Sequence, residues 1–460
     1  MKERTDIIPS KPIFVGETNT IDKKAICIFA ATGFFLEQDT FFKEQKVLKP
    51  GFEYILENGK PIAENQYFKW HYTPIERPFE QIVNEFATLF ESIINEQVGD
   101  KKVILPLSGG LDSRTQAAAL YYLNKNVQSY SYEFENGLNE TCFARKVAKV
   151  CQFPFEKWII PKGYLWENIQ KIASINQCYT EFTHPRQAAV LEKLSKLGDV
   201  FSLGHWGDVL FDDMKVNDNL SFENQVDLMF KKVLKKGGLM LGQKLWQDWQ
   251  IEGNFEVYLK GRIRSLLKEI NIPSNANAQI RAFKSTYWAP RWTSVNLSLF
   301  ESAKPITLPY YDNRMCEFIC SVPEKYLAGR QIQIAYLKMR NPALAKIAWQ
   351  DHRPFNLYSY DWNKFPWNLP YRLLKKIDRE LVTKNKVVNN YENQFLGQEN
   401  DSILRKFLFQ NNNGLLSNEL VEEIYNDFKH KDHLFFSHSV STLLTLSIKF
   451  NAIDNGKYCI

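Results

Sequence analysis

The stretch VILPLSGGLDSRTQAAAL, residues 103–120, joins an apolar run to two glycines, an acid and two serines, and then to a helix-like pattern. A strand ending at Leu107 would hand over to a turn at Ser108, Gly109 and Gly110, with a helix starting near Asp112. Glycines admit torsions closed to other residues and let the main chain approach a ligand closely. The amides of such a loop and of the first helical turn lack partners, and the helix dipole adds partial positive charge. With the hydroxyls of Ser108 and Ser113, this makes a cradle for a phosphate or pyrophosphate. Asp112 repels phosphate, so its chemistry is to hold a Mg²⁺ ion that the phosphates share. The lysine of GxxxxGK[ST] is missing, so the loop is not a Walker A loop.

A second stretch, SLGHWGDVLFDDM (202–214), carries Gly204 and Gly207 for close backbone approach and Asp208 to face the first loop. Asp212 and Asp213 suit capping or solvated positions. In QDHRPF (350–355), Arg353 is cationic at any pH and His352 only when protonated. Either would stabilise charge at an α-phosphate. His184 and Arg186, in THPRQ, precede a helix and are placed to face a cleft. HKDH (430–433) has i, i+3 spacing but no third ligand nearby, so no metal site is expected there.

Positioning these loops requires strands that alternate with helices. PFEQIVNEFATLFESIINEQ has apolar residues at helical spacing. VILPL, VQSYSYEF, FEKWII and VFSL fit strands; SRTQAAALYYLN, NETCFARKVAKVC and PRQAAVLEKLSKLG fit the helices between them. This alternation predicts an α/β fold with a parallel sheet covered on both faces. Its ligands belong at the carboxyl ends of the strands. We divide the chain into a small β segment (1–75), an α/β core (76–215) and a mainly helical remainder (216–460). In the first segment, KAICIFAATGFFLEQ and FEYILENGKPIAENQYFKW read as short strands and turns.

Composition excludes several classes. Apolar residues make up 44% and charged residues 24%, as in globular domains. A net charge of +6 is small for 460 residues and gives no basis for nucleic-acid binding. No apolar run reaches the ~18 residues of a membrane span. The seven cysteines form no CxxC pair, which favours reduced thiols and a cytoplasmic location.

LSGGLDS resembles the pyrophosphate loop of the N-type ATP pyrophosphatases, whose signature SGGxDS is met at every fixed position from Ser108 to Ser113. Within that family the chain is most similar to the asparagine synthetase and β-lactam synthetase branch. SYSYEFENGLNETCFARKVAKV (129–150), SLGHWGDVLFDDM, LPYYD (308–312) and YLKMRNPALAKIAWQDHRPF (336–355) resemble that branch's later motifs. GFFLEQDTFFKEQKVLKPGFEYIL looks like the end of its glutaminase domain.

The resemblance implies an adenine nucleotide α-hydrolase-like (PP-loop) fold with ATP and Mg²⁺ as cofactors. ATP would lie on Ser108, Gly109, Gly110, Leu111, Asp112, Ser113, Tyr132, Gly204 and His205. Asp112 and Asp208 would hold the metal, with His352 and Arg353 as catalytic cations. The reaction implied is adenylation of a small-molecule carboxylate with release of pyrophosphate, then transfer to ammonia or an amine. The chain begins Met1-Lys2-Glu3 and reaches GFFLEQDT early, so glutamine hydrolysis is not expected. A separate glutaminase or pathway enzyme is a candidate partner. Val209 replaces a usual acid, which disfavours free aspartate as substrate. Two other readings stand beside this one: a non-catalytic nucleotide-binding or scaffold descendant, and an adenylating enzyme for nucleobase or tRNA modification.

Overall fold

The computed structural model describes residues 1–139, 141–381, 386–409 and 414–454. Its centre is a five-stranded parallel sheet in the order Ile306–Thr307, Val200–Ser202, Val103–Pro106, Val127–Phe134, Phe155–Ile160. The middle strand, Val103–Pro106, pairs Val103 with Val127 on one side and with Val200 on the other. The chain thus moves outward through two strands, then returns to the opposite side of its starting strand. That reversal leaves a crevice above the carboxyl ends of the strands at 103–106 and 200–202. The loops after these two strands are those singled out from the sequence.

Helices cover the sheet because each presents an apolar stripe. Phe79–Val98 buries Ile82, Phe86, Phe90 and Ile93 at helical spacing. Leu111–Tyr122 follows the glycine loop and is buried over most of its length. Gln331–Arg340 packs on both of these helices. Arg340 anchors its far end by donating from Nε and Nη2 to the two carboxylate oxygens of Glu91 at 2.7 and 3.0 Å.

The N-terminal segment differs in part from its expected strands and turns. Phe52–Glu57 and Lys60–Gln66 form a hairpin, and Lys2–Arg4 adds a third strand. Asn58 and Gly59 both have positive φ at its turn, as an Asn-Gly hairpin requires. KAICIFAATGFF, however, contains a helix, Lys23–Thr32, capped by the Asp22 carboxylate and ended by Gly33 in the left-handed region. Every residue from Ala25 to Thr32 is buried. A helix buried on all faces shows no amphipathic period, so its sequence looks like a buried strand. It packs into the same apolar core as the sheet. PRQAAVLEKLSKLG also departs from one helix: a 3₁₀ turn at Arg186–Val190 meets a short helix at Leu191–Leu194, with Val190 at φ −127° between them.

The six described cysteines are free thiols; Cys459 and residues 410–413 of the polar piece QNNNGLLSN lie outside the described residues. Among the described residues no helix is long and apolar enough to cross a membrane.

Candidate functional site

The crevice opens into a cleft of about 820 Å³. The helix Leu111–Tyr122 begins at its floor with no side chain capping its first amides. The loop before it is braced internally: Ser108 Oγ lies 3.0 Å from Ser113 Oγ, and the Gly110 amide donates to Ser108 Oγ at 3.2 Å. The Gly109 amide donates to Gln350 Oε1 at 3.1 Å. A Cβ on Gly109 would lie 2.3 Å from that oxygen, so glycine is needed for this close approach. An anion entering the loop would replace Gln350 as acceptor.

Asp112 points from the first helical turn toward the second loop. Its Oδ1 accepts from Arg330 Nη2 and, at 3.0 Å, from Gln333 Nε2. Gly207 makes room for it: a Cβ there would sit 2.3 Å from Asp112 Oδ1. Burial and the nearby Asp208 carboxylate push the Asp112 carboxyl up, and Arg330 opposes them. Asp208 is exposed to the cleft. His205, beside it, has a buried Nδ1 without a hydrogen-bond partner, and burial pushes its imidazole down to about 4. It is therefore neutral at pH 7 and adds no positive charge.

Two carboxylates facing one space fit Mg²⁺, which keeps several waters and takes its remaining ligands from phosphate oxygens. No group of three or more His, Cys, Asp or Glu among the described residues forms an all-protein metal site, HKDH included. Asp112 and Asp208 are thus the residues that would hold the ion, and its role would be to neutralise phosphate charge.

Every residue expected at the nucleotide lines this cleft: Ser108 to Ser113, Tyr132, Gly204, His205 and Asp208. The two expected catalytic cations do not. His352 stacks on Trp349 at 4.1 Å, and burial lowers its pKa, so it is neutral at pH 7. Arg353 lies over the Phe143 ring at 5.4 Å. Their neighbours Gln350 and Asp351 reach the cleft instead.

The cations that line it are Arg330, Lys284 and Arg186. Arg330 takes the left-handed conformation (φ 61°) directly after Gly329 (φ 68°), a turn held by the Gly329 amide donating to Asp212 Oδ1 at 2.9 Å. Asp212 therefore serves as a brace. Lys284 starts a π-helical stretch, Lys284–Thr293, that sets Lys284, Trp288 and Trp292 along the cleft. Such i→i+5 segments are rare and concentrate at functional sites. Only Arg186 of these was singled out from sequence. A spacing of four across KSTYWAPRW was the available signal for Lys284 and its tryptophans, and Pro290 within it argued against any helix.

His184 also faces the cleft, held from behind by Glu181. Glu181 is 1% exposed and contacts His184 Nε2 at 3.0 Å, Ser441 Oγ at 2.6 Å and the Thr183 amide at 2.6 Å. Burial alone would raise its carboxyl, but His184 and His438 outweigh burial and hold it well below its ordinary 4.5. The folded state thus binds this proton less readily than the unfolded chain. Its stabilisation is present above about pH 4.5 while the histidines carry charge, and is lost as pH falls through the lower folded value. Glu181→Gln is expected to destabilise the protein by about 1–3 kcal/mol at pH 6. Urea unfolding between pH 6 and 3 should show the gap to wild type closing only below about pH 4. A gap independent of pH would mean that the ionised carboxylate contributes nothing.

A parallel sheet with a glycine-rich anion loop at its switch point defines the adenine nucleotide α-hydrolase-like, or PP-loop, fold. Residues 85–195 match the family model for asparagine synthase, and this part of the chain is similar to that family. The chain is 25% identical over 150 residues to a glutamine-hydrolysing asparagine synthetase 1 of Bacillus subtilis (strain 168), covering 32% of this chain and 24% of that enzyme. It is 38% identical over 95 residues to a glutamine-hydrolysing GMP synthase of Ehrlichia canis (strain Jake), covering 20% and 18% respectively. The matches thus span less than a quarter of either relative's length.

Proposed function

We propose that the protein is an ATP-dependent, AMP-forming ligase that adenylates a carboxylate and passes the acyl group to ammonia or an amine. A carboxylate oxygen attacks the α-phosphorus, the bond to the bridging oxygen breaks, and pyrophosphate leaves. The amine nitrogen then attacks the acyl carbon, AMP departs, and the amine gives up one proton. The observation that carries this reading is the helix that starts within SGGLDS at Leu111, without a side-chain cap, and whose Asp112 shares one cleft with Asp208 and Arg330. Ser108 to Ser113 would hold the leaving pyrophosphate, and the end of the Val127–Phe134 strand around Tyr132 would contact the adenine.

Pyrophosphate release from ATP and Mg²⁺ in the presence of pooled carboxylic acids, with and without ammonium, tests the proposal. AMP and pyrophosphate should appear together, and Asp112→Ala should reduce them by about 100-fold or more. ADP as product would overturn the mechanism. The Gln350 side chain seated on Gly109 favours a second reading, a nucleotide-binding scaffold. That reading predicts ATP binding with no pyrophosphate from any pool.

A further inference from the structure

The cleft extends past the nucleotide residues onto an aromatic wall. Trp206, Trp288 and Trp292 line it, with Leu297 and Phe300 beyond and Val209 where an acid was expected. The indoles are held from behind. Trp288 stacks on Phe34 with centroids 5.3 Å apart and planes 20° apart. Trp292 is flanked edge-on by His184 at 5.0 Å and carries Lys235 Nζ at 4.8 Å from its ring centre. Trp206 donates its indole N–H to Ser285 Oγ at 3.0 Å. The Trp292 indole N–H is buried with no hydrogen-bond partner among the described residues, although buried indole N–H groups normally find one.

Of the two lysines that touch this wall, Lys284 is the one that lines the cleft. Lys284 Nζ lies 5.8 Å from the Trp206 ring and 5.9 Å from the Trp288 ring. Among the described residues it forms no salt bridge, whereas Arg330 is engaged with Asp112. Asp208 is the carboxylate whose charge it feels most. The ammonium therefore stands where the aromatic wall meets Asp208.

Resting on the ligase reading above, we propose that the acid adenylated by this protein is an aromatic carboxylic acid. Its carboxylate pairs with Lys284 and its ring lies against Trp288 and Trp292. A flat ring gains stacking on pre-held indoles without ordering them. A short amino diacid has no ring to stack on these indoles.

The test uses benzoate, 4-hydroxybenzoate and indole-3-acetate against acetate and aspartate, with benzamide as the uncharged control. Two measurements are made on the full chain: quenching of tryptophan fluorescence, and exchange of labelled pyrophosphate into ATP. At least one aromatic acid should bind ten-fold or more tighter than acetate and aspartate and support exchange. Lys284→Met should abolish the preference for that acid over its amide, and Trp288→Ala should weaken its binding about ten-fold. Trp288→Phe, which keeps a ring, should retain binding and guards against misfolding of the alanine variant. Binding of aromatic acids without exchange would support the subsite while overturning the ligase reading. Exchange with aliphatic acids alone would overturn the subsite and leave the ligase reading standing. Quenching by no aromatic acid, or binding that Lys284→Met and Trp288→Ala leave unchanged, would overturn the proposal.

Discussion

Arg330→Met is expected to lower pyrophosphate release by about two to three orders of magnitude while ATP affinity falls far less. Arg330 is the cation that lines the cleft next to Asp112, and it is 8% exposed. A PP-loop has no Walker lysine, so the charge that builds on the phosphates in the transition state must be met by another group. A fixed cation in a water-poor site commonly contributes about 10²–10³-fold in rate. Its Nε donates to Gln333 Oε1 at 2.8 Å, and Gln333 in turn reaches Asp112 and Tyr310. The guanidinium is therefore held in place before any ligand arrives. Removing it also leaves the Asp112 carboxylate without its charge partner. That alone destabilises, because a buried charge left unpaired costs about 3–5 kcal/mol. Arg330→Met combined with Asp112→Asn separates the two effects. The double variant should recover most of the lost stability and none of the activity. Near-wild-type turnover in Arg330→Met would exclude Arg330 from the chemistry and return attention to Lys284.

The parts of this site differ in how far sequence could reveal them. SGGLDS announces itself because turn, hydroxyls and acid are adjacent in one hexapeptide. VQSYSYEF and FEKWII coincide with the strands Val127–Phe134 and Phe155–Ile160, whose turns and β-branched residues are local signals. Arg330 was invisible because its partner lies 218 residues away and no motif surrounds it. Its conformation, left-handed for a non-glycine residue, is set by Gly329 and Asp212, which are themselves brought together only by the fold. His352 and Arg353 are basic residues in one short stretch, QDHRPF, and their types alone do not say which way each side chain turns. A one-turn 3₁₀ helix at Gln350–His352 turns Gln350 to the loop, while His352 stacks on Trp349. The helix Lys23–Thr32 shows the converse limit, since complete burial erases the periodicity that would reveal it.

Arg114→Met should destabilise the protein by about 2–4 kcal/mol. Arg114 is fully buried and, among the described residues, has no carboxylate partner. Its guanidinium instead donates to four main-chain carbonyls: Gly109 at 3.1 Å, Ala348 and Ile347 at 3.0 Å, and Leu344 at 3.5 Å. Burial lowers its pKa to about 10, so the group remains charged at neutral pH. Methionine fills similar space but takes the guanidinium from the Ile347 and Ala348 carbonyls, while Gly109 and Leu344 still accept from the Gln350 and Ile347 amides. The consequence reaches the site, because the same residues deliver Gln350 to the Gly109 amide. Arg114→Lys restores one charge but not the planar fork, and should recover less than half of the loss. Chemical unfolding measures the energy. ATP binding, measured below the unfolding transition, reads the loop: affinity should fall in Arg114→Met even while the protein is folded. Limited proteolysis should then cut faster within residues 344–357. If stability falls and ATP affinity does not, Arg114 supports the core alone, and the loop is held by Ser108 and Ser113 without help from the returning chain.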